Sequence, residues 1–208
     1  MKRTAGLVLA AGESRRMPGR SKLSRSWGDT TVVGAVIRTA REAGLGPVVA
    51  TVPAGADPPR GAGRADALAR LPPRGGRAES LAAGLRACPA GAVVVLLGDE
   101  PGMLPGTISG LVQLCEAEDA DAGRVEFSDR PGHPVWLGTA ARAVAADLRG
   151  DASVWSRLVA ASLRTVVLRL ETGAPIDVDT PEALARARSD AAAAPAAAPA
   201  EKPGRAAP

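Results

Sequence analysis

Two neighbouring carboxylates at the end of an apolar run, and an isolated lysine in a glycine-bearing loop, are the residues of this chain best suited to chemistry on phosphates. The run Val93-Val94-Val95-Leu96-Leu97 leads into Gly98-Asp99-Glu100-Pro101. A hard cation such as Mg²⁺ takes one or two carboxylates and fills its remaining positions with water and phosphate oxygens, so Asp99 is expected to be a metal ligand. Asp-x-Pro after a strand is also a common turn. The lysine is Lys22, since Lys2 and Lys202 lie at the two ends. It follows Leu9-Ala10-Ala11-Gly12-Glu13-Ser14-Arg15-Arg16-Met17. Small residues and glycine let backbone N–H groups approach phosphate oxygens, and Arg15, Arg16 and Lys22 can balance the charge. The spacing is neither that of a Walker A loop nor that of a dinucleotide fingerprint, and an ordinary strand-to-helix turn with exposed arginines would read the same way. A third stretch is Ile176-Asp177-Val178-Asp179-Thr180-Pro181. Acids two apart in extended chain point the same way, so Asp177 and Asp179 are both expected to face a metal or a substrate hydroxyl. Asp179 is equally suited to lie beside a helix N-terminus.

Elements that would position these residues follow from the pattern of apolar residues. The runs Gly6 to Ala11, Pro47 to Val52, Ala92 to Leu97 and Arg164 to Leu170 alternate with helix-period stretches. That is the pattern of a three-layer α/β domain, a mostly parallel sheet with helices on both faces. Val32, Val33, Val36, Ile37 and Ala40 recur at helical spacing, with Thr30 or Thr31 as N-cap and Gly44 just past the end. Further helices are expected over Ser80 to Ala87, through Ile108, Leu111, Val112 and Cys115, and from Thr180-Pro181-Glu182 to about Arg188. Ala54 to Gly76 holds Pro58, Pro59, Pro72 and Pro73, which predicts a loop region with at most one short helix around Ala65 to Leu71. Ligands of open parallel sheets bind outside the carboxyl ends of the strands, where all three motifs fall.

Composition bounds the rest. A chain of 208 residues, 46% of them hydrophobic, suits one domain over 1–190. The tail over 191–208 is rich in Ala and Pro, has no large apolar side chain, and is expected to be disordered. No run reaches the roughly 18 to 20 apolar residues of a membrane span. The apolar stretch behind Met1-Lys2-Arg3 ends too soon for a signal peptide, so a cytoplasmic protein with no membrane partner is expected. Cys88 and Cys115 have no second ligand at metal spacing and are expected in helix cores. The net charge of +4 is scattered, and with no Tyr and a single Phe, Phe127, a stacking platform for nucleic acid is not expected.

Taken in order, the three motifs resemble the molybdenum-cofactor nucleotidyltransferases, cytidylyl- and guanylyltransferase-like members of the wider group that includes sugar-nucleotide pyrophosphorylases. Glu79-Ser80-Leu81-Ala82-Ala83-Gly84-Leu85 and Gly132-His133-Pro134-Val135 look like two further segments of the cytidylyl branch, and together these stretches span about Gly6 to Arg188. The resemblance implies a Rossmann-like nucleotidyltransferase fold and transfer of CMP from CTP to the molybdopterin form of the molybdenum cofactor, with release of pyrophosphate and with Mg²⁺ as cofactor. It implies nucleotide binding by Leu9, Ala10, Ala11, Gly12, Ser14, Lys22 and Ser80. Catalytic roles would fall to Lys22, Arg16 and Asp99, metal binding to Asp99 and Asp179, and substrate contact to His133 rather than acid–base work. The product would serve a xanthine dehydrogenase-type molybdoenzyme. Guanylyl transfer to the same cofactor, nucleotidyl transfer to a sugar phosphate, and an inactive nucleotide-binding maturation factor are the alternatives. The chain departs from the pattern at three points. One extra residue precedes Lys22, Arg149-Gly150-Asp151-Ala152-Ser153 stands where relatives read Gly-Asp-x-Gly-Ala-Arg, and the Asn or Asp base contacts of guanylyl-type relatives have no clear counterpart near Val52 to Ala56.

Overall fold

The computed structural model describes residues 4–12, 17, 21–72, 76–89, 91–148 and 154–193. In chain order the elements are Ala5–Leu9 (β1), Ser26–Trp27 (β2), Thr30–Thr31 (β3), Val32–Glu42 (α1), Val48–Val52 (β4), Ala67–Arg70 (β5), Arg77–Ala87 (α2), Val93–Leu97 (β6), Pro105–Ala117 (α3), Ala122–Glu126 (β7), Pro131–Leu137 (β8), Thr139–Ala146 (α4), Val154–Ala160 (α5), Thr165–Arg169 (β9) and Pro181–Ala193 (α6). A seven-stranded sheet runs β5-β4-β1-β6-β8-β7-β9, and β2 and β3 form a small separate hairpin. β5, β4, β1 and β6 are parallel, β8 is antiparallel to both its neighbours, and β7 and β9 pair in parallel.

Residues alternate between the two faces as a pleated strand requires. Val8, Val94 and Leu96 pack with α1, α3 and α6, whereas Leu7, Val93 and Val95 pack with α2, α4 and α5. This is the expected three-layer α/β architecture. Helix α1 begins where the Thr31 hydroxyl accepts from Gly34 N at 3.2 Å, and it ends before Gly44, whose φ of 83° is a left-handed conformation natural to glycine. No described helix is long and apolar enough to cross a membrane. Cys88 and Cys115 are buried, at the end of α2 and within α3. Burial pushes their thiols up to about 11 and about 12, so neither is a ready nucleophile.

Three expectations need correction. The proline-rich stretch after β4 holds a short 3₁₀ turn, Ala62–Arg64, and the edge strand β5, not a loop with a helix around Ala65 to Leu71. Two strands, β7 and β8, come between α3 and α4 where no strand was expected. The last helix continues past Arg188 to Ala193, so residues 191–193 belong to it and not to a disordered tail.

Arg142, on α4, joins the two halves of the sheet's covering layer. Its guanidinium donates to the carbonyls of Leu85 (2.7 Å), Cys88 (3.3 Å), Pro89 (2.6 Å) and Gly91 (2.7 Å). These are the carbonyls that the end of α2 leaves unpaired, together with those of the turn into β6. Arg142→Ala is expected to cost about 2–3 kcal/mol in denaturant unfolding, and Arg142→Lys should recover only part of it because a single ammonium lacks the fork. Unchanged unfolding midpoints would show that the carbonyls are served equally well by water.

Candidate active site

The strand order reverses between β1 and β6, because β1 leads through α1 to β4 on one side while β6 lies on the other. At such a switch point the loops leaving the two strands part and open a crevice. Here they separate just beyond Gly98, whose N–H donates to Leu9 O at 3.0 Å. A Cβ at Gly98 would lie 2.8 Å from the Leu9 carbonyl oxygen and 3.3 Å from Ala10 Cβ. The obstacle is backbone, which yields only if β1 and β6 move apart. Gly98→Ala is therefore expected to lower stability by about 1–3 kcal/mol and to reduce activity with it. A variant matching the wild type in both thermal melting and turnover would mean that the two strand ends have slack.

Lys22 opens a 3₁₀ turn over Lys22–Ser24, and its side chain runs inward until only 8% of the residue is exposed. Its ammonium hydrogen-bonds to Asp99 Oδ2 and, at 2.6 Å, to Asp179 Oδ1. Burial acts against the charge, but the two hydrogen bonds and the fields of both carboxylates outweigh it and raise the lysine's pKa. The extra residue before Lys22 thus does not keep it from the strand-end carboxylates. Asp99 is held through its own backbone, its carbonyl accepting from Val178 N at 2.9 Å, which also locks the segment carrying Asp179 to the end of β6. Thr180 then caps α6, its hydroxyl accepting from Ala183 N at 3.2 Å.

Asp177 and Asp179 do not face the same way. Asp179 N donates to Asp177 O at 2.9 Å, and this tight turn removes the strand-like alternation. Asp177 instead meets Arg130, whose Nη1 lies 3.4 Å from its Oδ2 and whose Nη2 donates to Pro175 O at 2.8 Å. Beside it lies Glu100, 4% exposed, with Oε2 lacking a hydrogen-bond partner. Burial, then the hydrogen bond to Asp177 and the charges of Asp177 and Asp99, push the Glu100 carboxyl up to about 9, so that it is protonated at neutral pH. His133 enters from β8. Part of its surface reaches solvent, yet the ring is packed deeply enough that desolvation pushes its pKa down to about 4 against the pull of Asp99. It is a neutral imidazole at pH 7, unsuited to delivering a proton.

A cleft of about 660 Å³ is lined by Ala10, Gly12, Asp57 and Arg60, among others, and by Ser21 and Ser24 of the turn that carries Lys22. Its size suits a small-molecule ligand. The loop behind β1 is braced from below: Ala10 N donates to Thr51 Oγ1 at 3.0 Å, and Thr51 Oγ1 lies 3.0 Å from Ser80 Oγ. Ser80 is buried and supports the loop through Thr51. The Ala10 amide is engaged by Thr51 and the Leu9 carbonyl by Gly98, which leaves Ala11 and Gly12 as the part of the stretch with no such engagement among the described residues. Ser14 and Arg16 lie outside the described residues. Thr51 was visible in the sequence only as a hydroxyl inside an apolar run, Asp57, Arg60 and Arg130 carried no distinctive spacing, and Glu100 was noted beside Asp99 but given no role.

Counting from Gly150, Trp155 stands where the Gly-Asp-x-Gly-Ala-Arg pattern has its arginine. Arg124 of β7 lays its guanidinium over the Trp155 ring, 4.6 Å from the centroid. A guanidinium is thus present beside that position, supplied from a different element.

The donor set suits a hard divalent cation. Two carboxylates from separate segments converge on one cationic group, the donors are all oxygen, and a two-carboxylate site leaves the remaining positions to water and phosphate, as Mg²⁺ favours. Among the described residues no cluster of three or more His, Cys, Asp or Glu forms a self-sufficient metal cage.

Comparison with known proteins places the fold and the family. The solved structure of Rv0371c from Mycobacterium tuberculosis H37Rv superposes with a TM-score of 0.75 at 28% identity, covering 90% of this chain and 99% of that one. The same protein in complex with manganese gives 0.73 at 26% identity, covering 90% and 99%. Two more distant structures share the fold. CMP:2-keto-3-deoxy-manno-octonic acid synthetase complexed with CTP has a TM-score of 0.75 at 14% identity, with 92% and 99% covered. Molybdopterin-guanine dinucleotide biosynthesis protein A from Archaeoglobus fulgidus has 0.67 at 19%, with 92% and 100% covered. A search of curated proteins finds no match. The family model for the MobA-like NTP transferase domain matches residues 6–166, and the chain belongs to that family, as a nucleotidyltransferase.

Proposed function

We propose that the protein transfers CMP from CTP to the terminal phosphate of the molybdopterin form of the molybdenum cofactor, with Mg²⁺ as cofactor. The observation that carries this reading is the meeting of Lys22, Asp99 and Asp179 at the β1/β6 switch point, beside the cleft edged by Gly12. Choice of CTP rests on Ala11 and on the Ser80-Leu81 stretch, which match the cytidylyl branch. The Archaeoglobus relative, named for a molybdopterin dinucleotide, and the CTP complex of the synthetase are in keeping with it. Arg124 over Trp155 supports the acceptor, because it returns a cation to the place where the acceptor motif lost one. The product suits a xanthine dehydrogenase-type molybdoenzyme in the cytoplasm.

In the reaction an oxygen of the acceptor phosphate bonds to the α-phosphorus of CTP as the α–β bridging bond breaks, and pyrophosphate carries away the displaced electron pair. The acceptor oxygen is already ionised, so no proton has to be removed, which fits a neutral His133. Rate then comes from alignment and charge balance. The amides of Ala11 and Gly12 hold phosphate oxygens, Lys22 balances the triphosphate, and the brace from Ser80 through Thr51 keeps the loop in place. Asp99 and Asp179 would hold Mg²⁺, which supplies neutralisation of phosphate charge. The manganese complex of Rv0371c supports a divalent cation in this reading.

The test is pyrophosphate release from CTP, GTP, ATP and UTP, each with Mg²⁺ and with the molybdopterin acceptor present or omitted. Release from CTP that depends on the acceptor is the expected result. Release from GTP instead would make the protein a guanylyltransferase, and no release from any triphosphate would overturn the transferase reading for this acceptor.

A further inference from the structure

The cationic group between Asp99 and Asp179 belongs to the protein itself. Lys22 is anchored at its backbone by the turn in which Arg25 N donates to Lys22 O at 3.2 Å. Its ammonium takes one oxygen from each carboxylate. Asp99 and Asp179 are the carboxylates that would hold a divalent cation, and the ammonium's charge-assisted hydrogen bonds to them compete with it. We propose that Lys22 fills the cation seat in the free protein and vacates it when a triphosphate arrives, so that nucleotide and divalent cation bind cooperatively. The inference rests on the metal and nucleotide reading given above.

The physical case has three parts. With the ammonium hydrogen-bonded to both, the two carboxylates attract a further cation less strongly than they would without it. A triphosphate brings several negative charges to the mouth of the same site, and a lysine side chain, flexible along its four-carbon stem, can swing to them while its backbone stays fixed. Once it has left, Asp99 and Asp179 lose its positive charge, and a divalent cation would restore it. Because coupling between two ligands is reciprocal, the cation must tighten nucleotide binding by the factor by which nucleotide tightens cation binding. The arrangement keeps two acids paired in the absence of substrate and leaves the seat to be filled when phosphates are present to complete the coordination.

The experiment uses Mn²⁺ as probe, its binding followed by electron paramagnetic resonance and challenged with Mg²⁺, on the whole protein without nucleotide. Lys22→Met is expected to bind Mn²⁺ about tenfold more tightly than the wild type and to gain more in melting temperature when Mn²⁺ is added. Lys22→Gln, which keeps a polar group at the site, should act in the same direction and covers the case in which the methionine variant folds poorly. Arg130→Gln removes a positive charge paired with Asp177 and should leave nucleotide-free Mn²⁺ affinity within about twofold, which separates competition for the seat from the general effect of charge. In the wild type, CTP should tighten Mn²⁺ binding by about tenfold or more. Equal Mn²⁺ affinity in the wild type and both Lys22 variants would overturn the proposal and leave the metal reading intact. Absence of Mn²⁺ binding to any form, with or without CTP, would overturn the metal reading and the proposal together.

Discussion

Asp99→Asn is expected to cut nucleotidyl transfer by at least about a hundredfold to a thousandfold, the scale on which loss of one fixed electrostatic contact to a reacting group is felt. Asparagine keeps the shape and removes the charge. Lys22 then loses an ionised partner, and a divalent cation would lose a hard anionic ligand where phosphate charge must be balanced. The fold should survive, because what Asp99 gives the structure passes through its backbone: the carbonyl that receives Val178 N is unchanged by the substitution. The Asp99 side chain is 23% exposed, so the lost pairing contributes little to the core. Stopped-point assays of pyrophosphate release beside a thermal melt check both halves. Turnover close to wild type would remove Asp99 from the mechanism, and a collapse of the melting temperature would mean that the Lys22 contacts hold the strand ends together.

How much of this was legible in the sequence depends on how local each signal is. The central strands were readable because they are buried on both faces and so are written as unbroken apolar runs. Helix α1 carried its own cap and stop in Thr31 and Gly44. The edge strand β5 was not readable: of Ala67, Leu68, Ala69 and Arg70 only Ala69 is buried, so an edge position needs almost no apolar pattern, and flanking prolines read as loop. β7 and β8 were hidden for a similar reason, since Arg124, Glu126 and Pro134 interrupt any alternation. Their short connection through Ser128 and Asp129 forces an antiparallel pair that an expectation of parallel strands passes over.

At the site, the residue types were legible and their directions were not. Lys22, Asp99 and Asp179 could each be singled out, and the structure brings all three together. That they meet on one cation depends on a chain reversal more than 150 residues long, which no spacing rule reaches. Asp177 was assigned the wrong direction because alternation was assumed where a hydrogen bond between Asp179 N and Asp177 O turns the chain. Ser80 was expected at the nucleotide and instead stands behind Thr51, a residue that in sequence is one hydroxyl among valines. The pattern names residues that matter, but which layer of the site each occupies is decided by packing.

Glu100→Gln is expected to raise stability at alkaline pH and to have almost no effect near pH 4.5. In the unfolded chain Glu100 loses its proton near its ordinary value of 4.5, whereas in the folded protein burial and the neighbouring acids hold the proton until about pH 9. Between those limits the native state binds one proton more than the unfolded state, so native stability declines as pH rises, at up to about 1.4 kcal/mol per pH unit, and the decline ends above the folded value. A glutamine is neutral in both states and abolishes that slope while keeping an N–H that can serve Asp177 in place of the carboxylic acid. Urea unfolding of wild type and variant from pH 4.5 to 9, in buffer free of divalent cations so that Asp99 keeps Lys22 as its partner, should give curves that converge at the acid end and separate steadily toward the alkaline end, the variant above. Parallel curves would mean that Glu100 is ionised in the native protein and that Arg130, which lies against Asp177, compensates its charge as well.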